Sequence, residues 1–308
     1  MKKILSLILA LLITFSFAVS ALAYSDTEKP FENSNFYTVG DYTVHYRTYE
    51  TDVEAENQIL LIHGFCLSTA SLEGIAEKYS ASGYRVVTVD VPNFGYSSRE
   101  TMNTSELQRE DVIYSLIESL GGTWIIGGHS MGGGIALNLA CDHPETFTGL
   151  VLFAPQSSKE VAGAGKFIAS SSLMRSMYNF ILKIALKIPG VVRSLVEMSF
   201  SDADYAKKYD VSRISAPLSI EGTGEGIAIM SSHTRGNDFS EISKLTIPAV
   251  VITATDDRVA SAENLQQIID ALGENATVYN CEKGGHMMME YDPVLVAEKT
   301  LPIINKCK

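Results

Sequence analysis

The sequence predicts an α/β protein: a mostly parallel central sheet with helices on both faces, interrupted by a helical insertion. Three observations carry this. Six short apolar runs, at about residues 58–63, 84–91, 123–128, 147–153, 247–254 and 276–281, read as strands. Near-continuous apolar strands mark a parallel sheet buried on both sides. Amphipathic helical stretches alternate with these runs, and between residues 157 and 244 the alternation stops. At 308 residues and 46 % hydrophobic, the chain can bury a sizeable core in one large domain with an insertion.

The elements follow in order. Lys2 and Lys3 precede an uncharged stretch from Ile4 to Ala23, which ends in the small-x-small pattern Ala21-Leu22-Ala23 before a polar segment. This reads as a secretory signal peptide, residues 1–23, cleaved after Ala23; the competing reading is an uncleaved anchor, since 20 uncharged residues can just span a bilayer. Residues 36–50 alternate around a Gly40-Asp41 turn and predict an antiparallel hairpin. Leu72, Ile75, Ala76 and Tyr79 have helical spacing, as do Ile113, Leu116, Ile117 and Leu120 after a capping box at Ser105 and Gln108. Leu265, Ile268, Ile269 and Leu272 repeat the pattern and stop at Gly273. In the last helix Pro302 should kink or end it.

The motif with chemical content is Gly128-His129-Ser130-Met131-Gly132, set between the apolar run Trp124–Gly127 and a stretch that can begin a helix. A sharp strand-to-helix turn of this kind exposes a serine at the carboxyl edge of a sheet, and both glycines are needed where side chains would clash with the turned backbone. A serine hydroxyl needs a base, and the base needs a third group to orient it and stabilise its charge. Downstream, Thr255-Asp256-Asp257-Arg258-Val259 follows a strand, and Gly284-Gly285-His286 follows the next. Ser130, Asp257 and His286 therefore stand in the chain order Ser, Asp, His.

In these motifs the chain resembles the α/β-hydrolase superfamily, over nearly all of the sequence after residue 23. Members carry Asp, Arg and an apolar residue after the penultimate strand, which Asp257-Arg258-Val259 matches; this favours Asp257 over Asp256, leaving Asp256 a solvated or capping neighbour. His63-Gly64-Phe65 resembles the oxyanion loop, so by resemblance the backbone amides of Phe65 and Met131 would hold the oxyanion. The resemblance also implies that residues 157–244 form a helical cap over a core made of 24–156 and 245–308. Asp90 to Ser97 resembles the family's glycine-serine loop. Of the other histidines, His63 is expected to pin the oxyanion loop, His129 to point away from the triad, His143 to sit at a helix end, His45 on a strand and His233 in the cap. None is given a catalytic role. The glycine-rich piece 222–226 is read as a loop or hinge.

These readings predict a secreted serine hydrolase acting on a small-molecule ester with an apolar acyl part, with no cofactor and no metal-type Cys/His spacing. Other reactions on the same triad (carbon–carbon bond hydrolysis, amide cleavage, acyl transfer, perhydrolysis) and a non-catalytic binding protein on the same fold stay open. Losing Lys2 and Lys3 lowers 24 basic residues to 22 against 36 acidic, −14 in place of −12, which makes a nucleic-acid partner improbable. Export permits disulfides, and a clip between Cys281, at a strand end, and Cys307, at the chain end, stays open; Cys66 and Cys141 are badly placed for each other. The segment Tyr178 to Met198 is unusually apolar. It reads either as a helix buried against the core or as an apolar roof or lipid-facing surface.

Overall fold

The computed structural model describes residues 29–51, 57–99, 109–157, 168–188, 190–232 and 234–307. The signal peptide, the capping box at Ser105 and Gln108, Pro189 and His233 lie outside the described residues. Eight strands form one sheet in the order β1-β2-β4-β3-β5-β6-β7-β8. They are β1 (Ser34–Val39), β2 (Tyr42–Tyr49), β3 (Gln58–Ile62), β4 (Arg85–Val89), β5 (Trp124–His129), β6 (Phe147–Phe153), β7 (Ala249–Ala254) and β8 (Ala276–Cys281). The β1–β2 hairpin is antiparallel, with Gly40 at φ 54° in its turn, and β2 runs antiparallel to β4. Every pairing from β4 to β8 is parallel.

Both faces are buried, as the apolar runs require. Successive residues of a strand point to opposite sides. Ile59, Leu61, Ile125, Val151, Phe153, Val250 and Ile252 pack on one face against α1 (Glu73–Ala81) through Ile75, Ala76 and Tyr79. Leu60, Ile62, Val87, Val89, Ile126, Leu150, Leu152 and Val251 face the other side, toward α2 (Arg109–Leu120) and α3 (Met131–Asp142). Truncating such a side chain to alanine costs about 2–5 kcal/mol, because the space cannot fully collapse.

Between β6 and β7 lie α4 (Ser172–Lys187), α5 (Val191–Phe200), α6 (Ala203–Lys208), α7 (Ser212–Leu218), α8 (Thr223–Ser232) and α9 (Phe239–Ile242). The glycine-rich piece is a turn only at its start, where Gly222 sits at φ 83°; Gly224 and Gly226 lie in the first turns of α8. A Cβ on Gly224 would strike the backbone of Asn179 in α4, and one on Gly226 would strike Asn93. These glycines permit close packing rather than bending.

After β7 come α10 (Ala262–Leu272), capped by the Ser261 hydroxyl and stopped at Gly273 (φ 56°), then α11 (Met288–Tyr291) and α12 (Pro293–Ile304). Pro302 does not end α12 at its own position. The helix continues two residues to Ile304, where the missing N–H removes only one bond of the last turn. All four cysteines are free. Cys281 pairs with Ala254 at the carboxyl end of β8, whereas Cys307 Sγ fills the space a Cβ on Gly149 would take, near the start of β6. The two lie at opposite edges of a sheet whose five-residue advance spans about 16 Å, beyond disulfide reach.

Candidate active site

β5 delivers Ser130 to the carboxyl edge of the sheet. Its backbone sits at φ 51° and ψ −116°, a conformation that L-residues avoid at a cost of about 1–3 kcal/mol. The surroundings hold it there. Ser130 N donates to Phe153 O at 2.9 Å, and Ser130 O accepts from Gly133 N at 2.9 Å and Gln156 N at 3.0 Å. A Cβ on Gly128 would overlap the Gly132 carbonyl, and one on Gly132 would overlap the carbonyls of Ile62 and His63. The turn therefore closes only with glycine at both positions, and α3 begins at Met131 with its amino end at the serine.

β7 and β8 deliver the other two groups. His286 lies on a single 3₁₀ turn, Gly285–Met287, and its Nδ1 is 2.8 Å from Asp257 Oδ2. The other Asp257 oxygen accepts from Val259 N at 2.8 Å and Ala260 N at 2.9 Å. Burial alone would raise the Asp257 pKa; the His286 ring and these amides outweigh it and hold the carboxyl below its usual value. Both side chains are almost wholly shielded.

Asp256 is more than a solvated neighbour. Its Oδ1 accepts from Gly285 N at 2.9 Å, and its backbone carbonyl accepts from the Ser201 hydroxyl at 2.6 Å. Gly285, at φ 59°, leaves room for Ser199 O and Ser201 Oγ at the end of α5. The insertion thus abuts the histidine loop, a contact for which the sequence holds no sign.

His129 also departs from expectation. Its ring does not point away: it lies 4.6 Å from the His286 ring, centroid to centroid, and Nε2 donates to the His286 carbonyl at 2.8 Å. Burial, and then the nearby His286, hold its pKa well below the usual histidine value, so the ring is neutral. A Cβ on Gly64 would collide with this ring, so His129 seats both the histidine loop and the loop of His63.

His63 pins that loop. Val91 N donates to Nε2 at 3.0 Å, so the ring proton is on Nδ1, which donates to Gly64 O at 2.7 Å. Phe65 follows in a turn closed by Leu67 N donating to Gly64 O at 3.1 Å. The Phe65 ring is half exposed and meets Phe94 edge-on at 5.4 Å. Met131 flanks Ser130 on the other side, at the start of α3.

Two buried groups were not foreseen. Asp90 accepts from Thr69 N at 2.6 Å and Tyr96 N at 2.8 Å and sits 2.7 Å from His45 Nδ1, while His45 Nε2 sits 2.8 Å from Ser34 Oγ. This Ser34–His45–Asp90 chain repeats the bonding order of a triad, yet all three residues are fully enclosed and no substrate reaches them. Arg99 donates to the carbonyls of Phe94 at 3.0 Å, Gly95 at 2.7 Å, Ser97 and Pro217 at 3.0 Å, and to the Thr223 hydroxyl at 2.9 Å. It joins the loop after β4 to the insertion. Among the described residues no cluster of His, Cys, Asp and Glu could hold a metal ion.

A doubly covered sheet with a strained serine after β5 and a paired Asp and His after β7 and β8 defines a class. The family model described as the alpha/beta hydrolase fold matches residues 57–293, and the chain belongs to that family. It is 24 % identical over 272 residues to the uncharacterized hydrolase YugF of Bacillus subtilis (strain 168), covering 87 % of this chain and 97 % of that protein. To a putative esterase/lipase of Haemophilus influenzae it is 22 % identical over 284 residues, 90 % of this chain and 93 % of that protein. The crystal structure of a probable hydrolytic enzyme from Pseudomonas aeruginosa PAO1 shares the fold with a TM-score of 0.67 at 20 % identity, covering 87 % of this chain and 92 % of that one.

Proposed function

We propose that this α/β hydrolase is an exported serine esterase that cleaves carboxylic esters with an apolar acyl part. The observation that carries it is the 2.8 Å pair of Asp257 and His286 on the sheet edge where Ser130 is held at φ 51°. With Nδ1 given to Asp257, His286 has Nε2 to offer Ser130. Ser130 Oγ attacks the ester carbonyl carbon and passes its proton to Nε2. The amides of Phe65 and Met131 stabilise the resulting oxyanion. Collapse breaks the ester bond and expels the alcohol, which takes the proton from His286. Water, deprotonated by the same nitrogen, then attacks the acyl-enzyme, and the acid leaves as Ser130 recovers its proton. Asp257 keeps the imidazole in the right tautomer and stabilises its cation. The esterase- and lipase-like names of relatives support the substrate class, and the half-exposed Phe65 ring and Met131, next to Ser130 in the chain, support an apolar acyl group.

The test is intact-mass labelling with a fluorophosphonate beside turnover of p-nitrophenyl esters of increasing chain length. Wild type should label and turn over, Ser130→Ala should do neither, and Asp257→Asn should lose about four orders of magnitude in kcat. A wild-type protein that binds ligands but neither labels nor hydrolyses any ester, amide or lactone would overturn the reading. Export is tested by the N-terminus of the protein recovered outside the cell, expected at Tyr24.

A further inference from the structure

Among the described residues, eight of the twelve large apolar side chains that stand out of the surface lie between residues 173 and 198. Leu173, Met177, Phe180, Ile181, Ile184 and Ile188 recur at the spacing of one face of α4, and Phe180 and Leu173 are 63 % and 64 % exposed. The opposite face of α4 is already satisfied: Tyr178 and Leu182 pack on the core below. The helix therefore carries a second apolar stripe that stands exposed among the described residues. Leu195 and Met198 on α5 are exposed as well.

The charge beside this stripe is unlike the rest of the molecule. Residues 172–200 hold four basic residues (Arg175, Lys183, Lys187 and Arg193) against one acidic (Glu197), in a chain of net charge −12. Lys183 and Lys187, four apart, run along one border of the stripe; Lys183 is paired with Glu221, which leaves Lys187 as the basic group on that border. An exposed apolar face with a basic border, on an otherwise acidic protein, is complementary to one surface: apolar acyl chains beneath anionic headgroups. A helix of 16 residues spans about 24 Å, too short to cross a bilayer but long enough to lie in its interface.

We propose that the α4–α5 segment docks this protein on anionic lipid surfaces, with the apolar stripe of α4 immersed and Lys187 at headgroup level. Docking does not depend on the esterase reading, since it needs only the exposed stripe and the basic group at its border. Its place is apt for that reading, because α5 ends against the histidine loop at Gly285.

The experiment is cosedimentation of the chain beginning at Tyr24 with vesicles of phosphatidylcholine, alone or mixed with phosphatidylglycerol, at low and high salt. Wild type should bind the mixed vesicles more tightly than the neutral ones, and high salt should narrow the difference. The triple variant Phe180→Ser, Ile181→Ser, Ile184→Ser should lower the partition coefficient about tenfold or more on both vesicles. Lys187→Gln should weaken binding about fivefold on the anionic vesicles alone. Ser130→Ala should bind like wild type, which separates docking from catalysis. These side chains are exposed, so the melting temperature should hold, and sedimentation velocity on each variant checks for self-association. Absence of wild-type binding to either vesicle would overturn the proposal, as would a triple variant that binds undiminished. A wild-type dimer that the triple variant splits, with no vesicle binding, would assign the face to a second copy instead.

Discussion

The residues that set the candidate chemistry are served by others with no reactive part. His129 is the clearest case. Its Nε2–H is the donor to the His286 carbonyl, and its ring backs the His286 ring. His129→Phe keeps the ring but strands a carbonyl, at a cost of about 1–3 kcal/mol. We expect a lower melting temperature and a fall in kcat larger than any change in KM, because the imidazole loses its seat rather than the substrate its pocket. Unchanged kcat in a destabilised variant would reduce His129 to a packing residue. The motif around Ser130 was legible because a turn this tight needs glycines at fixed offsets; chain order then placed an Asp and a His after it, and the family resemblance of Asp257-Arg258-Val259 favoured Asp257 over Asp256. The direction of the His129 ring was not, because its partner lies 157 residues away. The Ser34–His45–Asp90 chain escaped notice for the same reason. Its enclosure implies that a fluorophosphonate labels the protein once and not twice.

The elements show where local composition misleads. Each strand of the sheet was readable, since a run such as Ala249–Ala254 is apolar but for Thr253 and leads into the polar turn at Thr255. The start of α8 was not, because glycine counts against a helix unless something presses on it. Here Asn179 and Asn93 press on Gly224 and Gly226 from 45 and 133 positions away. Contacts between elements also set a response to pH. Glu290 of α11 is buried against Tyr205 and Tyr209, lies 3.3 Å from Arg213 of α7, and shares that arginine with Glu73 of α1, which Arg47 of β2 also holds. Burial outweighs Arg213 and pushes the Glu290 carboxyl up to about 7. The folded pKa is above the unfolded one, about 4.3. Its contribution to stability is therefore complete below about pH 4.3 and lost as pH rises through 7, a loss of about 4 kcal/mol. Glu290→Gln removes that dependence. Urea unfolding from pH 5 to 8 should show the variant gaining on wild type across the range, and a constant difference would sink the assignment.

At the scale of the molecule, the insertion and the core are bound together. Arg99 ties the loop after β4 to Pro217 and Thr223. α8 is in turn bound to α4: Gly224 N donates to Asn179 Oδ1 at 3.0 Å, Ser176 donates to Glu225 at 2.9 Å, and Lys183 pairs with Glu221. That seam has a kinetic consequence. A helix fastened along its length to a neighbour that is itself fastened to the core cannot swing out when an interface arrives. Its apolar stripe is a standing feature rather than one uncovered on contact. Rate against concentration of a sparingly soluble ester should then climb smoothly through the solubility limit, with neither a lag nor a jump where droplets first form. A sharp rise at that point would mean that the seam opens.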